Sequence, residues 1–378
     1  MSWPPSPAAG CRRIPPAAAG TAATTPGQGA PGGRVLPGQI IDFVGGQADI
    51  DRRLIRAIGD PRQRFAEDKL RLLRCIRFAV TLGYAIEPAT FAAVREMAGQ
   101  IRIVSAERVR EELIKIFTRA NAGRGLELLD ESGLLQELLP EVAAMKGVGQ
   151  PPEFHPEGDV FTHVKLMLER MAERTPPGAP AGDYPSVTLA FAVLLHDIGK
   201  PPTFVRGPDR IRFDEHDVIG ATMTEQVLRR LRFSNDEMAR IVTCVAEHMR
   251  VRHVQEMRPA KLKRILARPT FADELELHRL DCLASHGHLD NVEFLRRKAV
   301  ELPPSVVQPV PLLTGHELLA LGFTPGPLVG AVLRELAELQ LEERIRSPAE
   351  ALAYARQRLA ETSRGAPSSG PTGPADNG

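Results

Sequence analysis

Six side chains in the middle third of the chain, His163, His196, Asp197, His216, His248 and Asp281, are of the types that hold divalent metals. The pair His196-Asp197 ends an apolar run, Leu189 to Leu195, and Gly199-Lys200-Pro201-Pro202 follows at once. Imidazoles and a carboxylate at the end of a buried helix are costly to desolvate unless something pairs with them. A single histidine is more often a core or surface residue than a ligand. Six such groups in this order, each on an expected helix, point to a metal site, and a cation would satisfy all of them together. Two ions about 4 Å apart, bridged by Asp197, would clamp a phosphate, activate a water and stabilise the leaving oxygen. Lys200 lies beside them as a phosphate-binding cation. His196, Asp197 and Lys200 are therefore the candidate catalytic residues. His155, His253, His278, His286, His288 and His316 fit no such pattern and are read as structural or exposed.

A second cluster, Glu67-Asp68-Lys69-Leu70-Arg71-Leu72-Leu73-Arg74, follows Gly59-Asp60-Pro61. The plain reading is a helix start with acids in its first turn and a Glu67–Arg71 ion pair at i,i+4. The chemical reading is that an Asp and an Arg three apart on one helix face set an acceptor beside two donors. That edge matches the amino donor and ring acceptors of cytosine or adenine. Both readings stand on spacing alone.

The elements that position these groups read as almost entirely α. Leu70, Leu73, Ile76, Arg77 and Val80 fall near a 3.6 period, as do Val109, Leu113, Ile116 and Phe117. Pro88 and Pro140 mark breaks, and Ser234 is an expected N-cap for the helix that carries His248. Residues 40–58 read as a short hairpin or a strand–turn–helix entry, 172–185 as a surface loop, and Pro303–Pro311 as a linker. Residues 1–38 are Pro, Gly, Ala and Thr with few large apolar groups, an expected disordered segment. With 378 residues, 43% of them hydrophobic, the chain can build two or three small cores. The net charge of +1 implies no nucleic-acid partner by itself, so any basic surface must be local. Cys11, Cys75, Cys244 and Cys282 are far apart, which suits a reducing compartment. No apolar run approaches the roughly 18 residues of a membrane span.

The order H…HD…H…H…D resembles the HD superfamily of metal-dependent phosphohydrolases. The text around the second cluster carries a further resemblance. Asp42-Phe-Val-Gly45-Gly46-Gln-Ala-Asp49, Ile55-Arg56-Ala-Ile-Gly59-Asp60-Pro61, Arg64-Phe65-Ala66-Glu67-Asp68, Leu73-Arg74-Cys75-Ile76-Arg77-Phe78 and Arg108-Val-Arg-Glu-Glu-Leu113 are similar to the class II tRNA CCA-adding nucleotidyltransferase and poly(A) polymerase family. In that family an HD domain often follows, as His155-Pro-Glu-Gly-Asp-Val-Phe-Thr-His163 does here, and Thr314-Gly315-His316 to Pro327 resembles its C-terminal helices. By that resemblance Asp42, Gly45, Gly46 and Asp49 would link head to neck, and Asp68 and Arg71 would template CTP or ATP. Glu67 would support them, and Arg74 and Arg77 would meet the triphosphate or RNA backbone.

The implied architecture is mainly α: an elongated multi-helix neck plus an HD-domain helical bundle, with a short β remnant near the N-terminus. The expected division is a disordered 1–38, a remnant of the nucleotidyltransferase head at 39–60, a nucleotide- and tRNA-binding neck at 61–150, and an HD domain at 151–302. A C-terminal tRNA-contacting unit at 311–362 and a disordered tail at 363–378 complete it. The family's head motifs, Gly-Gly-x-Val-Arg-Asp, a magnesium-binding Asp-x-Asp and Arg-Arg-Asp, are not in this sequence, so a clipped head unable to polymerise as written is expected. The implied activities are CMP or AMP transfer to tRNA 3′ ends by family, with magnesium if a head were present, and phosphate-ester hydrolysis at the HD site with one or two ions of the Mg, Mn or Ni class. The expected partners are the tRNA acceptor arm, CTP and ATP, in the cytoplasm and with no membrane. The alternatives are a stand-alone HD phosphohydrolase and a non-catalytic tRNA-binding remnant.

Overall fold

The computed structural model describes residues 42–151, 153, 155–173, 184–208 and 210–364. The N-terminal 1–38 and C-terminal 365–378 stretches, and 174–183 of the expected surface loop, lie outside the described residues. From Val44 onward the fold is a succession of helices with two small two-stranded sheets, one of them pairing Leu54–Ile55 in parallel with Ala85–Ile86. The expected entry over 40–58 takes a different form. Gly45, left-handed at φ 76°, starts a short helix, Gly46–Asp51, ahead of the Leu54–Ile55 strand. A glycine tolerates that backbone at no steric cost.

The prolines act as expected. Pro88 and Pro140 each occupy the first turn of a new helix, Pro88–Met97 and Pro140–Ala143, where the missing N–H costs nothing. The Leu70–Leu82 helix buries Leu70, Leu73, Ile76 and Val80 and ends at Gly83 in the left-handed conformation. The Pro303–Pro311 linker contains one short turn of helix, Pro304–Val307.

One apolar core runs from Phe65 to Ala284, so the neck helices and the HD helices share a single interior. At its centre lies Val187–Leu195, started by Ser186, whose hydroxyl accepts from Leu189 N at 2.9 Å. Residues 188–195 are buried all round, as befits a helix enclosed by others rather than an amphipathic surface helix. Across the expected 150/151 boundary, Arg230 makes a two-pronged pair with Glu141 at 2.7 and 2.8 Å. A separate small core, built on Leu318, Val332 and Ala351, holds the C-terminal helices Gly315–Ala320, Pro327–Leu341 and Pro348–Arg364. Lys263, buried, joins that unit to the preceding helices by donating to Leu341 O at 2.8 Å and Glu343 Oε1 at 2.9 Å.

Candidate metal centre

The expected ligands arrive on five separate elements. His163 sits in the first turns of Val160–Glu173, whose start is fixed by Asp159 accepting from Thr162 N at 2.8 Å. The central helix ends at His196, and Asp197 follows it into the interior. His216 opens the helix His216–Arg230. Ser234 caps Asn235–Glu247 with a reciprocal Glu237 box, and His248 closes that helix. Asp281 projects from Phe271–Ala284. The ligand atoms of His163, His196 and Asp197 lie within 4.8 Å of one another, and so do those of Asp197, His216 and His248. Asp197 belongs to both sets, and Asp281 Oδ1 stands 3.1 Å from His163 Nε2.

The ring orientations favour a cation. His196, His216 and His248 each tie Nδ1 to a backbone carbonyl, of Val193 at 3.0 Å, Phe213 at 2.8 Å and Val245 at 2.6 Å. A carbonyl only accepts, so Nδ1 carries the proton and the Nε2 lone pair is left for something else. Buried Nε2 atoms of His163, His196, His216 and His248 have no hydrogen-bond partner among the described residues. Three free lone pairs and a His163 Nε2 that faces Asp281, all beside carboxylates in a buried space, fit a divalent ion, which would displace the His163 proton.

Charge supports the same fit. Burial pushes the His248 pKa down to about 3, helped by the nearby His196, and burial lowers His216 as well. Both rings are thus neutral, the form that ligates, at physiological pH. Burial also works against a charged His163, but the carboxylates of Asp281 and Glu157 on either side of the ring raise it to about 9. For Asp197 burial alone would raise the pKa, yet the charges of His196 and Lys200 hold it well below the usual carboxylate range.

Several residues that the sequence pattern does not single out belong here. Glu157 Oε1 accepts from His163 Nδ1 at 2.6 Å and lies 2.9 Å from His155 Nδ1, forming a carboxylate–imidazole pair behind the ligand. His155, His253 and His286, expected to be structural or exposed, line the cleft over the site. Lys200 takes a different posture from an open phosphate ligand: it is buried, with Nζ 2.7 Å from Asp197 Oδ2 and donating to Gln150 Oε1 at 2.6 Å. The cations nearer solvent are Arg210, Arg212 and Arg252, which line the same cleft of about 510 Å³. Outer-shell carboxylates typically change metal affinity 10–100-fold. Glu157→Gln is expected to weaken metal binding by about that factor, measured by chelator competition, while leaving the melting temperature of the metal-free protein nearly unchanged.

The second cluster is arranged less simply than its spacing suggests. Glu67 ends one helix, Pro61–Glu67, and Asp68 is extended at φ −143°, ψ 108°, ahead of the next helix, Leu70–Leu82. Asp68 and Arg71 therefore do not share one helix face. Asp68 accepts from Leu70 N at 3.1 Å and pairs with Arg108 at 3.2 Å, whereas Arg71 pairs with Glu67 at 2.5 Å and donates to Arg64 O. Arg77 pairs with buried Glu112 at 2.5 Å. Arg71 and Arg74 do meet elsewhere, with Arg56 and Arg64, around a cleft of about 280 Å³ floored by Ile55, Phe65 and Phe78. Asp49, at the expected head–neck junction, pairs with Arg56 at 2.7 Å.

The HD domain model matches residues 160–277, and a family described as the probable RNA and SrmB-binding site of polymerase A matches residues 83–146. The A-adding tRNA nucleotidyltransferase of Deinococcus radiodurans is 35% identical over 344 residues, covering 86% of this chain and 75% of that protein. The chain belongs to the tRNA nucleotidyltransferase family. Within that family, the multifunctional CCA protein of Pseudomonas paraeruginosa is 34% identical over 264 residues, and the match spans 60% of that protein's length. The Bacillus stearothermophilus CCA-adding enzyme, solved in complex with CTP, shares the fold at a TM-score of 0.60 and 20% identity, over 86% of this chain and 70% of that one. Another structure, of a CCA-adding enzyme complexed with CTP, has a TM-score of 0.52 at 19% identity, over 84% of this chain and 66% of that one. The nucleotidyltransferase family thus accounts for the neck and the HD region together. Among the described residues no helix is long and apolar enough to cross a membrane.

Proposed function

We propose that this tRNA nucleotidyltransferase relative acts in tRNA 3′-end processing through two phosphate-handling sites. One is an HD site that hydrolyses phosphate esters; the other is a nucleotide site for CTP or ATP built on the neck helices. Its substrates reside in the cytoplasm, a reading supported by free, buried Cys75, Cys244 and Cys282.

The observation that carries the hydrolytic reading is the convergence of orphaned Nε2 lone pairs around Asp197. His163, His196, Asp197 and Asp281 would hold one ion, and Asp197, His216 and His248 a second. A bound divalent cation supplies Lewis acidity and a reactive nucleophile from water at neutral pH. The chain's own contribution is orientation and charge. Backbone carbonyls fix three imidazoles, Glu157 fixes the fourth, and Lys200 steadies Asp197 between the two sets. Arg210, Arg212 and Arg252 at the cleft wall favour an anionic ester. The test is to strip the protein with a chelator, reload it with magnesium, manganese or nickel, and count bound ions by elemental analysis. Turnover of bis(p-nitrophenyl) phosphate and of 2′,3′-cyclic nucleotides should return with at least one metal. If none restores it, the hydrolytic reading fails.

For the nucleotide site, Glu67, Asp68, Arg71 and Arg74 remain the candidates, with Arg56 and Arg64 added by the arginine-lined cleft. Its apolar floor suits a base and its guanidiniums suit phosphates. A hydrogen bond to a charged group contributes about 1.5–3 kcal/mol. Arg71→Ala or Arg74→Ala should therefore weaken CTP and ATP binding by roughly tenfold or more, read by equilibrium dialysis. Unchanged affinity in both would move the nucleotide site elsewhere.

A further inference from the structure

Beside the metal cleft lies a second, basic cleft of about 690 Å³. The two share Met249 and His253, so they run into one another. The same stretch of chain builds both. His248, a metal-site residue, begins the His248–Glu256 segment, which leads through Arg250 to the helix Pro259–Leu266. Arg258, Lys261, Arg264 and Arg268 recur at spacings of three, three and four and line the second cleft together. Lys261 and Arg264 lie on the helix itself, three apart on one face, while Arg258 is its extended N-cap and Arg268 follows its end.

The charges are unequally committed. Arg250 pairs with Glu247, Arg264 with Glu338, and Arg268 with Glu247 and Glu274. Arg258 and Lys261 are exposed and make no ion pair among the described residues. Glu256 and Glu338 are the acidic residues of the lining, so the cleft keeps a positive excess. A cleft of about 510 Å³ over the metal site suits one nucleotide-sized ligand. The adjoining basic space exceeds what a mononucleotide needs, and a row of cations several ångströms apart matches a repeating phosphate backbone.

We propose that the second cleft seats the RNA strand that leads into the HD site. The terminal phosphate ester enters the metal cleft, and Arg258 and Lys261 meet phosphates of the preceding nucleotides. The site thereby selects ends of RNA over free nucleotides. This rests on the hydrolytic reading of the HD site. An acidic protein segment would also find the charge attractive, but continuity with a phosphate-ester site favours a nucleic-acid strand.

The experiment uses the full chain loaded with the metal that supports bis(p-nitrophenyl) phosphate turnover. Inhibition of that turnover by a hexa-adenylate ending in a 3′-phosphate is compared with inhibition by 3′-AMP, so that only binding into this cleft is read. The hexamer should inhibit at concentrations at least about tenfold lower, and Arg258→Ala/Lys261→Ala should erase that advantage. The salt dependence should soften with it, the slope of log affinity against log salt falling by about 1.4 for two lost phosphate contacts. A hexamer no better than 3′-AMP, an advantage that survives the double substitution, or equal inhibition by polyglutamate would overturn the proposal. Should no metal support turnover, the hydrolytic reading fails on its own, and crosslinking still decides the strand path. A hexamer carrying 4-thiouridine two nucleotides before its 3′ end should then attach within 249–268, and attachment only elsewhere would refute the seat.

Discussion

His196→Gln is expected to lower HD-site hydrolysis by more than the 10–100-fold typical of an outer-shell partner, with the fold retained. The reason is geometric. His196 Nε2 is buried, has no hydrogen-bond partner among the described residues and belongs to only one of the two ligand sets, whereas Asp197 belongs to both. A graded outcome follows. His196→Gln should cost one ion, His216→Gln or His248→Gln the other, and Asp197→Asn both, each counted by elemental analysis after dialysis. Asp197→Asn carries a second effect, because it leaves the buried Lys200 without its carboxylate partner at 2.7 Å. Removing one member of a buried pair costs about 3–5 kcal/mol, so that variant should also melt earlier, and His196→Gln is the cleaner test of chemistry. Two ions retained by every single variant would show that these groups do not ligate as proposed.

The helical class and the residues that gather around Asp197 were legible in the sequence because they rest on local signals. A 3.6-residue apolar period marks the Leu70–Leu82 helix, a Ser with Glu three later marks the start of Asn235–Glu247, and His-Asp stands at the end of a wholly apolar run. Glu157, Gln150 and His155 were not legible. Their roles depend on the chain folding back between Gly149 and Asp159, which pair as an isolated bridge and bring Gln150, His155 and Glu157 to the site. No spacing encodes that return. The single helix face expected to carry Asp68 and Arg71 is broken for a local reason. It presumed a continuous helix, whereas Asp68 is extended and accepts from Leu70 N two residues on, the local bonding that makes aspartate a frequent helix boundary. The cleft that gathers Arg71 and Arg74 draws Arg56 from before the helix, and only the tertiary fold brings these together.

Gly199→Ala is the substitution outside the ligand set with the largest expected effect. A Cβ at Gly199 would stand 2.1 Å from His216 O and 2.7 Å from Gly220 N, both backbone atoms. Neither can rotate aside as a side chain would, so the helix His216–Arg230 must move off the end of the central helix. This gives a physical reason for a glycine two residues after the His-Asp pair: the backbone bearing His216 passes directly against it. Inserting a methyl group into a packed interior commonly costs about 1–3 kcal/mol, and a clash with fixed backbone should reach the upper end. The displacement acts on chemistry too, because His216 is carried on the helix that moves, and about 1 Å of misplacement at a reacting site can cost 10²-fold. Gly199→Ala should therefore lower the melting temperature and lose the ion held by His216 and His248, while the ion held by His163 and His196 stays. Gly220→Ala provides the contrast, since its Cβ would meet Gly199 N at 3.3 Å and ask for only a few tenths of an ångström. If Gly199→Ala bound both ions as tightly as the unaltered chain, the approach of the two helices would not be what sets His216 in place.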